Sequence, residues 1–333
     1  MTAEFSLHFG AGFVECARAF TAHDSMKIGI LLFGTKTKVS KESLYSSQLV
    51  KKAILARGHA ARIYYSNDFQ YTFYNSRPGL LYRSKRFIPP DVLIVSANIL
   101  SNIDLHLALV KQMELMGVRL YNSSVAIARA KNKLRTIQVM AHANIAVPKT
   151  LVVTDMNYLD AAIKELGSFP MIIKLAQGSF GSGVSIIESP RSLRSILDLV
   201  GPPSENQRNH VLIQEYVREA KGKDLRVFVV DGKVIAAMQR KARRGEFRAN
   251  VAIGGSATAI EITPEETIMA IESSRILGLS VAGVDLIRTA TGPKILEVNA
   301  NPGLRGITGA TKLDIAGHIV EYAERLFDMT KQI

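Results

Sequence analysis

Val284-Asp285-Leu286-Ile287-Arg288-Thr289-Ala290-Thr291-Gly292-Pro293-Lys294-Ile295-Leu296-Glu297-Val298-Asn299 reads as two apolar strands joined by a Thr/Gly/Pro turn, a hairpin signal. If the hairpin is symmetric about Thr291, Asp285 lies directly opposite Glu297. Side chains alternate faces along a strand, so Asn299 shares the face of Glu297. Two carboxylates opposed across a ladder repel, and these two stand among Val, Leu and Ile residues that point to burial. A hard divalent cation removes the penalty: Mg²⁺ favours oxygen ligands and takes one or two carboxylates plus substrate phosphates. The competing possibility is two acids on a solvated face, with a one-residue bulge breaking the register.

Around that hairpin lies a chain of 333 residues, enough for two or three compact units. An apolar content of 47% with 21% charged residues is ordinary for a soluble globular protein. No apolar run approaches the roughly 20 residues a membrane span needs, so no membrane partner is expected. The single cysteine, Cys16, excludes a disulfide framework or a cysteine-built zinc cluster, and it suits the reducing cytoplasm. Residues 1–25 lack a basic n-region, and His8, Glu15 and Arg18 interrupt their apolar residues. They do not read as a secretory signal; they form an extension of unassigned role, or an upstream start choice, ahead of the strand at Met26. The net charge of +13 implies an anionic partner. Nucleic acid, acidic lipid and phosphorylated or carboxylated small molecules all qualify. Basic residues crowd 218–248, but no Cys/His finger, RNP-like motif or heptad repeat is present. With 7% aromatics and no tryptophan, base stacking has little to use.

From Met26, short apolar strands (26–32, 61–65, 91–95, 118–121) alternate with helical patterns that stop at Gly58 and Gly117. Such alternation predicts a parallel α/β domain over 26–122. No Gly-x-Gly-x-x-Gly follows its first strand, which argues against dinucleotide binding. Residues 123–143 read as one helical connector, whose Arg129, Lys131, Lys133 and Arg135 suit a solvated basic face. A Pro-rich loop at 201–208 suggests a boundary, giving units at 123–205 and 206–333.

Lys174 sits inside an apolar strand, where an unpaired ammonium is costly. The loop after it, Gly178-Ser179-Phe180-Gly181-Ser182-Gly183, has a strand on each side and lacks the Gly-Lys-Ser/Thr ending of a Walker motif. Its glycines let backbone N–H groups close over an anion such as a triphosphate, while a plain glycine hairpin with a snorkelling lysine fits equally. The strand 211–217 ends in Gln214-Glu215-Tyr216, which could offer backbone groups to a purine edge and an acid to a ribose, or be an ordinary strand end. Residues 223–241 read as a hairpin turning at Asp231-Gly232, with Asp224 and Arg226 on one face as a surface ion pair. Thr263-Pro264-Glu265-Glu266 marks a helix start.

Taken in order, these segments resemble the ATP-grasp superfamily and, within it, the RimK-like carboxylate–amine ligases. The resemblance rests on Lys131-Asn132-Lys133-Leu134-Arg135, the Lys174 strand and glycine hairpin, Gln214-Glu215-Tyr216, Asp224-Leu225-Arg226, Phe247-Arg248-Ala249-Asn250, Val281-Ala282-Gly283-Val284-Asp285 and Glu297-Val298-Asn299-Ala300-Asn301-Pro302-Gly303. It implies the ATP-grasp fold, α/β then α+β: a pre-ATP-grasp domain, then two α+β domains clamping ATP between antiparallel sheets. It implies that Lys133, Lys174 and the hairpin of Gly178, Ser179, Gly181, Ser182 and Gly183 meet the phosphates. Glu215 and Tyr216 would meet the adenine edge and Asp224 the ribose. Arg226, Arg248 and Asn250, with Ala249 between, would face the phosphates and the transferring group. Asp285, Glu297 and Asn299 would hold two Mg²⁺ or Mn²⁺. The implied reaction adds an amino acid, glutamate by resemblance, to a carboxylate on a protein C-terminus, peptide or small molecule. A homo-oligomer, dimer or tetramer, is expected. Asn301 stands where relatives often carry serine, and Arg305 where an acid also occurs, so the acceptor side departs from the pattern. The alternative function is a non-catalytic nucleic-acid- or ribosome-binding protein that uses the basic loop 240–248.

Overall fold

The computed structural model describes residues 25–99, 102–175, 183–200, 211–220, 222–251 and 254–329. The first unit runs β1 (Lys27–Leu32), α1 (Lys41–Ala56), β2 (Ala60–Tyr65), β3 (Phe69–Tyr74), β4 (Arg77–Tyr82), β5 (Lys85–Arg86), β6 (Val92–Ser96), α2 (Ile103–Leu115) and β7 (Leu120–Tyr121). Its parallel sheet has the order β2-β1-β6-β7. β1 and β6 are buried nearly throughout, as strands covered on both faces must be. The sequence pattern did not assign the antiparallel sheet β3-β4-β5 between them. Its two turns, Asn75-Ser76 and Arg83-Ser84, have positive φ at both central residues but contain no glycine, so the usual turn mark is missing.

The second unit comprises α3 (Ser124–Lys131), α4 (Lys133–His142), β8 (Thr150–Val153), α5 (Leu159–Leu166), β9 (Met171–Leu175), β10 (Val184–Ile187), α6 (Pro190–Val200) and β11 (Val211–Glu215). The expected single connector helix is broken at Asn132, which is extended and caps α4 by accepting from the Arg135 N–H at 3.1 Å. The antiparallel sheet has the order β10-β9-β11-β8. β11 therefore belongs to the central sheet, and the sheets do not part at the 205/206 division suggested by the prolines. With α5 and α6, this sheet encloses a core of its own built on Val153, Leu159, Met171, Ile187, Leu193 and Ile213.

The third unit holds β12 (Lys223–Val230), β13 (Lys233–Lys241), β14 (Ser256–Ala259), α7 (Pro264–Leu277), β15 (Val281–Thr289), β16 (Gly292–Asn299), α8 (Leu304–Thr311) and α9 (Ile315–Met329). Its antiparallel sheet runs β14-β13-β12-β15-β16. β12 turns into β13 at Asp231-Gly232, both with positive φ as expected, and Thr263 and Glu266 close a reciprocal capping box on α7. One face of the sheet (Leu225, Val227, Val284, Leu286, Val298) joins Ala126, Ile127 and Met140 of α3 and α4 in a core. The other face begins apolar: Phe228, Val230 and Val281 pack with β1, α1, α8 and α9. The first and third units thus share one interior, and only beyond Phe228 does this face become charged. Among the described residues no helix is long and apolar enough to cross a membrane.

Asn122 joins those two units. Its Nδ2 donates to the Val281 and Ala300 carbonyls at 2.8 and 3.0 Å, and its Oδ1 accepts from the Ser280 and Val281 N–H groups at 2.8 and 3.1 Å. Truncation would leave three buried backbone groups and one half-buried one without this partner. Asn122→Ala should therefore cost about 3 kcal/mol in chemical denaturation, toward the upper end for one unsatisfied site. A loss within 0.5 kcal/mol would show that this joint carries no load.

Candidate active site

The hairpin β15–β16 pairs Thr289 with Gly292 and Leu286 with Ile295, so its turn is Ala290-Thr291 and is not centred on Thr291. Continued unbroken, that register would set Asp285 against Leu296. A bulge intervenes, and Asp285 pairs with Glu297. The predicted partners are correct, but the expected symmetry was wrong and the bulge, which had counted against a cation site, is what brings the acids together. Bulges re-aim side chains in this way. Leu296 and Glu297 both line the cleft as a result.

A second bulge does the same for β12–β13. Val230 pairs with Lys233, but the register shifts between Phe228 and Val229, so Asp224 faces Arg240 where an unbroken ladder would give Gln239. Arg240 donates through Nε and Nη2 to Asp224 at 2.6 and 2.8 Å. Arg226, directly across from Asp285, donates through Nε to Oδ1 at 2.7 Å and through Nη2 to Oδ2 at 2.6 Å. Arg240 Nη2 also reaches Asp285 Oδ2 at 3.0 Å. The side chains of Arg240 and Asp285 are only 8% and 7% exposed. Asp224 and Arg226 are therefore not the surface pair expected; each belongs to a buried network of two acids and two arginines. Burial pushes the Asp285 carboxyl up, but Arg226 and Arg240 more than reverse this and hold it below the usual range. Arg240 escaped notice because the bulge that aims it leaves no mark in composition.

Asn299 completes this face. With its amide oriented to satisfy both ends, Nδ2 donates to Glu297 Oε1 at 3.3 Å and Oδ1 accepts from Arg226 Nη2 at 3.2 Å. Gly283, paired with Asn299, leaves room for Pro302, which a Cβ would meet at 2.6 Å. Across the cleft stand Lys174 on β9 and, on either side of the Asn132 break, Lys131 and Lys133. The break turns the supposed solvated basic face into a cleft wall, and Lys131 was missed on that account. Burial lowers Lys174 and Lys131 to about 8, with Glu297 pulling up and Lys133 pushing down.

Arg248, Ala249 and Asn250 line the same cleft, and Arg248 is paired with Glu246 at 2.8 Å. Their loop packs on Gly255, where a Cβ would come within 3.0 Å of the Ala249 and Asn250 carbonyl oxygens. Glu215 and Tyr216 also line it, but the Glu215 carboxylate accepts from Lys294 Nζ at 2.6 Å and the Lys149 N–H at 3.0 Å. Gly183 closes the β9–β10 connection: its carbonyl accepts from the Leu175 N–H, and its φ of +75° suits glycine. Gly178, Ser179, Gly181 and Ser182 lie outside the described residues.

The cleft encloses about 250 Å³. Along β16 it changes character. An apolar slot of Ile172, Val184, Ile287 and Leu296 lies near Glu215; Glu297 and Asn299 face the lysines; Asn98, Asn301, Pro302 and Gly303 form the far end. Among the described residues no three of His, Cys, Asp and Glu cluster to hold a metal. A cation at Asp285, Glu297 and Asn299 would therefore rely on two carboxylates and an amide oxygen, completing its shell with phosphate and water. Mg²⁺ is bound in that manner, so the donor set fits it.

The chain matches two families: the RimK-like ATP-grasp domain over residues 130–323 and the RimK PreATP-grasp domain over 26–127. It is 38% identical to a probable alpha-L-glutamate ligase of Maridesulfovibrio salexigens, covering 90% of this chain and 96% of that one. A protein of the same description from Methanococcoides burtonii is 39% identical over the same shares. Among solved structures, the ATP-grasp ligase PsnB complexed with a minimal precursor superposes with a TM-score of 0.68 at 21% identity, over 91% of this chain and 100% of that one. D-alanine–D-alanine ligase from Bacillus anthracis complexed with ATP gives 0.67 at 16% identity, over 92% and 99%.

With Lys131 and Lys174 near 8, each is about half protonated at pH 8. A polyphosphate in the cleft favours the charged forms, so binding must take up protons. Calorimetry of tripolyphosphate binding at pH 8, in buffers of different ionisation enthalpy and with the ligand's own ionisation subtracted, should show net uptake by the protein of up to about one proton. Zero uptake or net release would contradict this account of the lysine wall.

Proposed function

Because the chain belongs to the RimK-like ATP-grasp family and has the ATP-grasp fold, we propose that this ATP-dependent ligase joins L-glutamate to a carboxylate acceptor through an acyl phosphate. The observation that carries the proposal is the convergence of Asp285, Glu297 and Asn299 on a sheet face opposite Lys131, Lys133 and Lys174. Oxygen donors for a metal face cations for phosphates across one cleft.

A carboxylate is a poor electrophile. Its oxygen attacks the γ-phosphorus of ATP, the bond to the bridging oxygen breaks, and ADP leaves with that electron pair. The amine nitrogen then attacks the acyl carbon, the carbon–oxygen bond to phosphate breaks, inorganic phosphate departs and the nitrogen loses a proton. Phosphoryl transfer of this kind depends on positioning and charge neutralisation, so no nucleophilic side chain is required. Mg²⁺ or Mn²⁺, one or two ions, would supply charge neutralisation at the phosphates when bound by Asp285, Glu297 and Asn299. Lys133 and Lys174 hold the phosphates, and Arg226, Arg248 and Asn250 stabilise the transferring group. The purine lies in the slot of Ile172, Val184, Ile287 and Leu296 beside Tyr216. The Glu215 carboxylate is committed to Lys294, which leaves backbone groups of that strand end to read the base edge. Asp224, committed to Arg240, acts on the ribose side through the network it anchors.

The acceptor is a peptide or protein C-terminus or a small carboxylate, and the enzyme works in the cytoplasm as a homo-oligomer. Reading residues 240–248 as a nucleic-acid loop has less support, since Arg240 is buried and Arg248 is paired with Glu246.

Purified protein with ATP, Mg²⁺ and L-glutamate should release ADP when a suitable acceptor is supplied, and mass spectrometry should find the acceptor heavier by a glutamyl residue. Glu297→Gln should lower kcat by about 10²–10³-fold, the scale of losing one electrostatic stabiliser of a transition state. Activity within threefold of wild type would remove Glu297 from the metal site.

A further inference from the structure

Of the cleft lining at Asn98, Asn301, Pro302 and Gly303, the last three residues lie past the end of β16, on the other side of Glu297 and Asn299 in the chain from Leu296 of the apolar slot. Two residues after the cleft-lining Gly303 stands a positively charged side chain, outside the lining itself, whose arrangement differs from those of the arginines inside. Arg226, Arg240 and Arg248 each give both Nε and Nη2 to one carboxylate, and Arg240 Nη2 reaches a second, Asp285, as well. Arg305, at the start of α8, gives only Nε, at 3.2 Å to Glu42 Oε2. Its guanidinium carbon lies 3.9 Å from the centre of the Tyr45 ring, stacked against α1 of the first unit.

Glu42 is itself fixed. Its Oε1 accepts from the Arg305 N–H at 3.2 Å and from Ser46 Oγ at 3.4 Å, and it packs against the cleft-lining Gly303, where a Cβ would meet it at 2.6 Å. The side chain of Arg305 is 56% exposed. A guanidinium oriented by a stacked ring and one Nε bond, with neither Nη given to a carboxylate among the described residues, is pre-organised for bidentate carboxylate recognition. Its neighbours at that end add neutral donors and acceptors: Asn98 donates to Ser40 and Ser43 Oγ at 3.0 and 2.8 Å, and Ser96 Oγ donates to Asn301 Oδ1 at 3.3 Å. None competes with Arg305 for an anion.

We propose that Arg305, held by Tyr45 and Glu42 beside the cleft-lining Gly303, is the specificity-determining residue that grips a substrate carboxylate not undergoing reaction. This rests on the ligase reading. The carboxylate is either that of the added amino acid or that of an acidic acceptor chain, and Arg305 confers preference for the acid over its neutral amide.

Binding calorimetry on the full chain with Mg²⁺ and ADP distinguishes the sources, using L-glutamate against L-glutamine and tri-glutamate against tri-glutamine, which keeps the C-terminal carboxylate and neutralises only the side chains. Arg305→Ala should weaken one acidic probe about tenfold and abolish its preference over the amide, equivalent to about 1.4 kcal/mol. Arg305→Lys should restore part of the preference, and ADP affinity should remain that of wild type in both variants. Loss in the glutamate arm assigns the residue to the added amino acid; loss in the peptide arm assigns it to the acceptor. ADP release by wild type together with unchanged selectivity in Arg305→Ala overturns this inference alone. No ADP release and no binding of either acidic probe overturns the ligase reading with it.

Discussion

Asp285 is a buried carboxylate between two arginines, and much of the third unit is arranged to make that tolerable. An isolated ionised group at that depth would be very costly, and removing one partner of a buried pair costs about 3–5 kcal/mol. Arg226 and Arg240 balance Asp224 and Asp285, so the network is neutral as a set. Asp285 Oδ2 accepts from both arginines while Oδ1 accepts from Arg226 alone, leaving Oδ1 as the oxygen with capacity for a further partner. Buried ion networks do not add much stability over an apolar core, but they specify geometry, and geometry is what a phosphoryl-transfer site requires.

Rigidity around the network comes from where it sits. Phe228, Val230 and Val281 continue the same sheet face into an interior shared with β1, α1, α8 and α9, so the first and third units behave as one body. The central sheet has a separate core with α5 and α6. Lys174 is carried on that separate body, while Lys131 and Lys133 stand on helices that pack against the third unit. The cleft is therefore a seam between two cores. Glu297 acts electrostatically on Lys174 from one side of the seam and on Lys131 from the other.

Some of this was legible from the chain alone. The parallel first domain followed from apolar strands alternating with helical patterns, and the helix start at Thr263 and the turn at Asp231-Gly232 followed from local chemistry. The pairing of Asp285 with Glu297 was inferred correctly from a mistaken turn centre. Where local signals were weak, the inference failed. Turns without glycine hid the β3-β4-β5 sheet, and the cap at Asn132 that splits the connector looked like one polar residue among many. The 201–208 prolines marked a connection inside the central unit, since β11 pairs with β8 and β9.

Residue type and spacing alone pointed to the kind of chemistry present, oxygen donors on one hairpin and a lysine with a glycine-rich loop on another, and to a parallel α/β first domain; the α+β units came from the family resemblance. Only the tertiary structure decided which of those groups meet. Two bulges, one before Leu286 and one at Phe228, each slide a strand by one residue and thereby choose Glu297 over Leu296 and Arg240 over Gln239. The physical reason is that a strand repeats every two residues, so a one-residue slip changes every facing pair, and a bulge is set by packing across the whole sheet with no local sequence mark.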